Sequence, residues 1–149
     1  MDYSSEAKKQ QMDSPAEQER HELVVKVTNL DVNQTIDFSA SIRKLNGQRK
    51  LLINMIKRLE DESLSHCMQM VTNGLNAKNW GLVKQGAHML KGATGYVGAG
   101  RVHYACYQIQ RAYNRGDFRK MESYYPLLLE YSIELKRFMR RYLTDLTSK

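Results

Sequence analysis

The sequence predicts an all-α protein: an antiparallel, up-down-up-down four-helix bundle with an N-terminal extension and a short extra helix. Three observations carry this. Proline occurs only twice, at Pro15 and Pro126, so little interrupts helical backbone. Apolar residues recur three and four positions apart over most of the chain, which is the helical period. Stop signals such as Asn46-Gly47 and Gly116-Asp117 leave short connections, and short connections favour antiparallel neighbours.

Taken in order, residues 1–20 mix Ser, Gln, Lys and Glu with few large apolar side chains, and are expected to form a flexible tail. Residues 21–34 contain Leu23-Val24-Val25-Lys26-Val27, a β-branched run compatible with a short helix or an extended arm. The bundle is expected over 35–147. It opens with a short helix over 36–45, closed by Asn46-Gly47. A helical stretch over 48–74 follows. Its first stripe is Leu52, Met55, Ile56 and Leu59, its second Leu64, Met68, Val71 and Leu75, and near 61–63 it is either bent or broken.

The next helix is expected over 77–94. The glycine-rich segment 95–100 then turns the chain into a helix over 101–115, with Val102, Ala105, Ile109 and Ala112 inward. Gly116 stops that helix and Asp117 caps the last, which reaches residue 146. Pro126 inside it predicts a kink near 124–127 or a broken start. Met121, Leu128, Leu135, Phe138 and Tyr142 share its inner face.

Composition excludes several classes. With 42% hydrophobic residues in 149, the chain holds one domain with a real core rather than wholly disordered sequence. No apolar run approaches the roughly 18 residues that mark a membrane span. Cys67 and Cys106 form no disulfide framework and no apolar leader opens the chain, so a reduced, cytoplasmic protein is expected, with the nucleus also open to it in a eukaryote. The net charge of +7 raises nucleic acid or acidic membrane as partners. Much of it sits near the C-terminus, where Lys136, Arg137, Arg140, Arg141 and Lys149 outnumber Asp145. Leu135, Phe138, Tyr142 and Leu146 run beside them at core spacing, as on a solvated helix face.

The segment Ala87-His88-Met89-Leu90-Lys91-Gly92 concentrates the chemistry. Each helical residue turns by about 100°, so Trp80, Val83, Ala87, Leu90 and Thr94 fall on one apolar stripe and His88 lies roughly 120° from it. His88 should face solvent. Gly81, Gly92 and Gly95 share its face, with Lys84 and Lys91 a turn away on either side. A glycine inside a helix costs about 1 kcal/mol relative to alanine, so three on one face need a reason. Close approach of a partner's backbone to the imidazole supplies one; close helix–helix packing is the other. Gly98 and Gly100 also fit a helix boundary. His21, His66 and His103 have no comparable setting and read as structural or solvated.

Two ammonium groups beside an imidazole disfavour its protonation, leaving a ring nitrogen as nucleophile, and they attract an incoming anion. A phosphoryl group on His88 would find Lys91 and Lys84 for its oxygens. No G-x-x-x-x-G-K-[ST] loop, kinase glycine-rich set or acidic Mg²⁺ cluster occurs, so self-phosphorylation from ATP is not expected.

The segment 87–92, with Gly98-Ala99 and Arg101-Val102 after it, resembles the histidine-containing phosphotransfer (HPt) domain of multistep phosphorelays. Ile36-Asp37, Asn79-Trp80, Cys106 and Gly116-Asp117 extend the resemblance over residues 35–147. It implies that His88 accepts a phosphoryl group from a receiver-domain aspartate and passes it to another. Lys91 would stabilise its charge and Gly92 leave room for the partner. By similarity to eukaryotic members, Gln110 would hydrogen-bond the histidine and fix its orientation. Met89 departs from the small or polar residue common after the histidine, and Ala93-Thr94 from a Ser-rich continuation.

The resemblance further implies a phosphocarrier rather than an autonomous enzyme, monomeric, with no cofactor of its own and with Mg²⁺ supplied by the receiver. Partners would be receiver domains, including that of a hybrid histidine kinase, touching Gln85, Gly92 and Gly95. The rival is a docking module that binds through the same face without transfer. Nucleic-acid or membrane binding through the C-terminal cations ranks below these. Salt should weaken it steeply, and an apolar receiver interface little. Metal binding at His103-x-x-Cys106, with His66-Cys67 as a second pair, ranks last.

Overall fold

A computed structural model describes residues 15, 18, 19, 22, 26, 28–31 and 33–148, and every regular element among them is helical. Of the expected tail over 1–20 only residues 15, 18 and 19 are described, and they are helical; of the arm over 21–34, residues 22, 26 and 28 are helical and 29–31, 33 and 34 are not, and the rest lie outside the described residues. No helix among the described residues is long and apolar enough to cross a membrane.

Helix α1 spans Phe38–Lys44, capped by the Asp37 carboxylate, which accepts from the Ala40 amide. Asn46 and Gly47, at φ +54° and +78°, end it as the Asn-Gly pair predicts. Helix α2 spans Arg49–Arg58 and α3 Leu64–Asn76, joined through one π-helical turn over Leu59–Ser63. The sequence left a bend or a break open here; the backbone stays helical throughout. The reason is phase. Leu52, Ile56 and Leu59 are buried at helical spacing, but the next buried residue, Leu64, is five positions on. A wide turn inserts the extra residue that keeps both stripes on the core.

Helix α4 spans Trp80–Val97, three residues later at each end than expected. Its start is delayed because Lys78 takes a positive φ and Asn79 provides the cap, accepting from the Leu82 amide at 3.1 Å. Its end is extended because α1 satisfies the carbonyls that the last turn leaves unpaired. Lys44 Nζ donates to the Gly95 carbonyl and Ser41 Oγ to that of Tyr96, both at 3.3 Å, and the Asp37 amide donates to Gly98 at 2.9 Å. Only Gly98 then needs a left-handed backbone, at φ +81°.

Helix α5 spans Gly100–Asn114, α6 Phe118–Ser123 and α7 Tyr125–Thr147. Asp117 caps α6 as expected, and of the two outcomes posed for Pro126 the broken start is found, with the proline in the first turn of α7. The largest packing interfaces join α4 to α3 and to α5. Val83, Ala87 and Leu90 of α4 are fully buried and meet a core that includes Ile56, Val71, Ile109, Leu128, Leu135 and Met139. Trp80 is only partly buried, stacked on Phe118 with ring centroids 5.1 Å apart.

Candidate functional site

The buried stripe of α4 leaves His88 exposed to solvent while Ala87 and Leu90 are fully buried. Its Nδ1 lies 2.8 Å from Gln110 Nε2 on α5. Gln110 Oε1 is buried and has no partner among the described residues. Amide oxygen and nitrogen exchange places by a half-turn of the side chain. In one orientation the amide donates to Nδ1; in the other, Nδ1–H donates to Oε1. Both engage Nδ1, but only the second, with the ring proton on Nδ1, leaves a free lone pair on Nε2; the first puts the proton of a neutral ring on Nε2.

Two further contacts repeat this register. Lys84 Nζ stands 5.8 Å from the centroid of Tyr113, and Lys91 Nζ 6.0 Å from that of Tyr107. Tyr107, Gln110 and Tyr113 are three residues apart on α5, and they meet Lys91, His88 and Lys84 in reverse order on α4. A cation over an aromatic face gains about 0.5–1 kcal/mol when exposed, so each ring restrains one ammonium beside the imidazole. Neither tyrosine was singled out from sequence, although spacing of three about Gln110 places both on its face.

Gly92 is exposed, and a Cβ there would meet nothing within 4 Å. Gln85 is also exposed, and a Cβ on Gly81 would meet only Asn79 Oδ1, at 3.7 Å. Gly95 departs from expectation: it is buried, and the His103 ring lies over it, so that a Cβ would fall 3.0 Å from the ring. For Gly95, close packing is the role the structure favours over an open partner face. His103 Nδ1–H donates to the Lys91 carbonyl at 2.8 Å. Burial pushes His103 below its ordinary range; the bond to that carbonyl opposes this, and the Lys91 and Lys44 charges add to it. Met89 and Tyr96 present large exposed apolar surface on α4, which sequence reasoning did not identify.

Elsewhere, His103 is committed to Lys91 while Cys106 is fully buried, its thiol pushed far above the usual range by that burial. His66 is exposed and its neighbour Cys67 buried. Among the described residues no three His, Cys, Asp or Glu side chains gather as metal ligands. In the C-terminal helix, Lys136 and Arg140 both pair with Glu60, at 3.1 and 3.8 Å.

The family model of the Hpt domain matches residues 54–144, which include α4, α5 and the whole His88 site. No curated protein and no solved structure gives a significant match to the chain.

Proposed function

This chain belongs to the Hpt domain family, which ties it to histidine phosphotransfer in phosphorelays, and on that premise we propose that His88 is the residue that carries the phosphoryl group. The observation that supports this best is the His88–Gln110 contact: with Nδ1–H donating to the Gln110 amide oxygen, it fixes the tautomer in which the Nε2 lone pair is free. Nε2 attacks the phosphorus of a receiver's aspartyl phosphate. The N–P bond forms, the P–O bond to the aspartate breaks, and the receiver carboxylate leaves. Attack by an aspartate of a second receiver returns the imidazole.

Transfer of this kind depends mainly on position and charge. Gln110 sets the ring, Lys91 and, from the other side, Lys84 attract the phosphoryl oxygens, and Gly92 and Gln85 meet the receiver. Mg²⁺ comes with the receiver, and this chain brings no cofactor. The unit that does this is the segment 35–147, a monomeric, antiparallel four-helix bundle acting in the cytoplasm; the reversed register of α4 against α5 supports that arrangement. One of its receivers belongs to a hybrid histidine kinase.

The test is phosphoryl transfer from phosphorylated receiver domains, with Mg²⁺, to wild type and to His88→Gln. Acid-labile, base-stable label on wild type alone is expected. Binding of a cognate receiver with no label on either protein would leave a docking module instead.

A further inference from the structure

Between Glu62 and Asp117 the chain contains no Asp or Glu. Both helices of the site lie inside that stretch, so α4 and α5 carry Lys84, Lys91, Arg101 and Arg111 and no carboxylate of their own. Three cations of the described residues are paired: Lys136 and Arg140 with Glu60, and Arg101, at the start of α5, with Glu134 on α7. Among the described residues, no ion pair forms at Lys84, Lys91, Arg111 or Arg115.

Three of these four cations are gathered. Lys91, Arg111 and Arg115 line one cleft together with Gln110, the partner of His88. The two arginines continue around α5 into a second cleft with Lys120. Its single carboxylate, Asp117, accepts the Lys120 amide as the cap of α6. The result is a cationic arc that begins at the histidine's own hydrogen-bond partner.

We infer that this arc seats carboxylates on the surface of the receiver domain, and that Arg111 and Arg115 set the rate at which the two proteins meet. The inference rests on the phosphocarrier reading above. A site that holds Mg²⁺ beside an aspartyl phosphate is built from carboxylates, so the surface that must face His88 is acidic. Opposed potentials steer encounter and raise association rates by about 10- to 1000-fold. Nucleic acid is the other polyanion available. The arc begins beside the acceptor histidine, however, and on the C-terminal helix Lys136 and Arg140 are engaged with Glu60. Sequence alone pointed to an interface with little response to salt; the arc requires a clear one.

The experiment uses the full chain and stopped-flow association with a phosphorylated receiver and Mg²⁺ at several salt concentrations. It compares wild type with the double variant Arg111→Glu, Arg115→Glu, and with Arg137→Glu, Arg141→Glu on α7 as a control of equal charge change. Wild type and control should associate alike and slow as salt rises. The arc variant should associate about tenfold more slowly at low salt, with a flattened salt dependence and little change in dissociation. Melting curves verify that it is folded, and Arg111→Gln, Arg115→Gln, which removes charge without reversing it, should fall between. Equal rates and salt slopes in wild type and arc variant would overturn the inference. So would duplex DNA binding by wild type that the arc variant loses. A wild type that neither binds nor takes label from any receiver would overturn the phosphocarrier reading, and this inference with it.

Discussion

Gln110 Nε2 sits 2.8 Å from His88 Nδ1 across the α4–α5 interface, while its Oε1 is buried without a partner among the described residues. Replacing Gln110 by Ala removes one hydrogen bond to the ring, worth about 0.5–1.5 kcal/mol, and frees the imidazole to rotate. Phosphoryl uptake should slow by roughly 3- to 10-fold. The melting temperature should change little, because the substitution also removes a buried amide atom that has no partner among the described residues in either orientation. Single-turnover transfer and thermal unfolding measured on one preparation test both halves.

Gly92 and Gly95 lie three residues apart on α4 and should answer oppositely to added bulk. A Cβ at Gly92 meets nothing within 4 Å. Gly92→Ala should therefore stabilise the helix by about 0.5–1 kcal/mol. Gly92→Gln should keep the fold and lower receiver transfer sharply, since the side chain occupies the space a partner would use. Loss of stability in Gly92→Ala would contradict this account of the open face.

At Gly95 a Cβ falls 3.0 and 3.1 Å from atoms of the His103 ring. Gly95→Ala should cost about 1–3 kcal/mol by overpacking. With His103→Ala in place, the same change should become neutral or stabilising. A double-mutant cycle by chemical denaturation reads the coupling directly; additive effects would mean that His103 does not hold its place over Gly95.

The same histidine gives stability a pH dependence. Burial lowers its folded-state pKa below the ordinary 6.5. Between those two values the unfolded chain binds more protons than the folded one. The stabilisation is thus complete above 6.5 and is lost as pH falls toward the lowered value. Unfolding midpoints of wild type should drop across that window, and those of His103→Gln should drop less. Parallel profiles would show that His103 is not the group responsible.

What sequence made legible was local. Asn46-Gly47, Asp117 and Pro126 acted as expected because a left-handed turn, a side-chain cap and a missing amide are decided within a few residues. The exposure of His88 followed from helical phase alone. The end of α4 was not legible, because Ser41 and Lys44, more than fifty residues away in sequence, satisfy its carbonyls. Gly95 could not be told from Gly92 for the same reason: the ring that covers it comes from the next helix. The π turn was in principle readable, as the five-residue step from Leu59 to Leu64 that breaks the phase of the stripe. So were Tyr107 and Tyr113, flanking Gln110 at helical spacing.

The most direct measurement of the central claim is to locate the phosphoryl group itself. After transfer from a phosphorylated receiver with Mg²⁺, the intact chain would be digested at neutral or basic pH and mapped by a fragmentation method that preserves phosphohistidine. A single phosphoryl group on His88, with Nε2 as the bonded nitrogen in ³¹P–¹⁵N spectra, is the expected result. A phosphoryl group on another residue, or on Nδ1 of His88, would contradict the account.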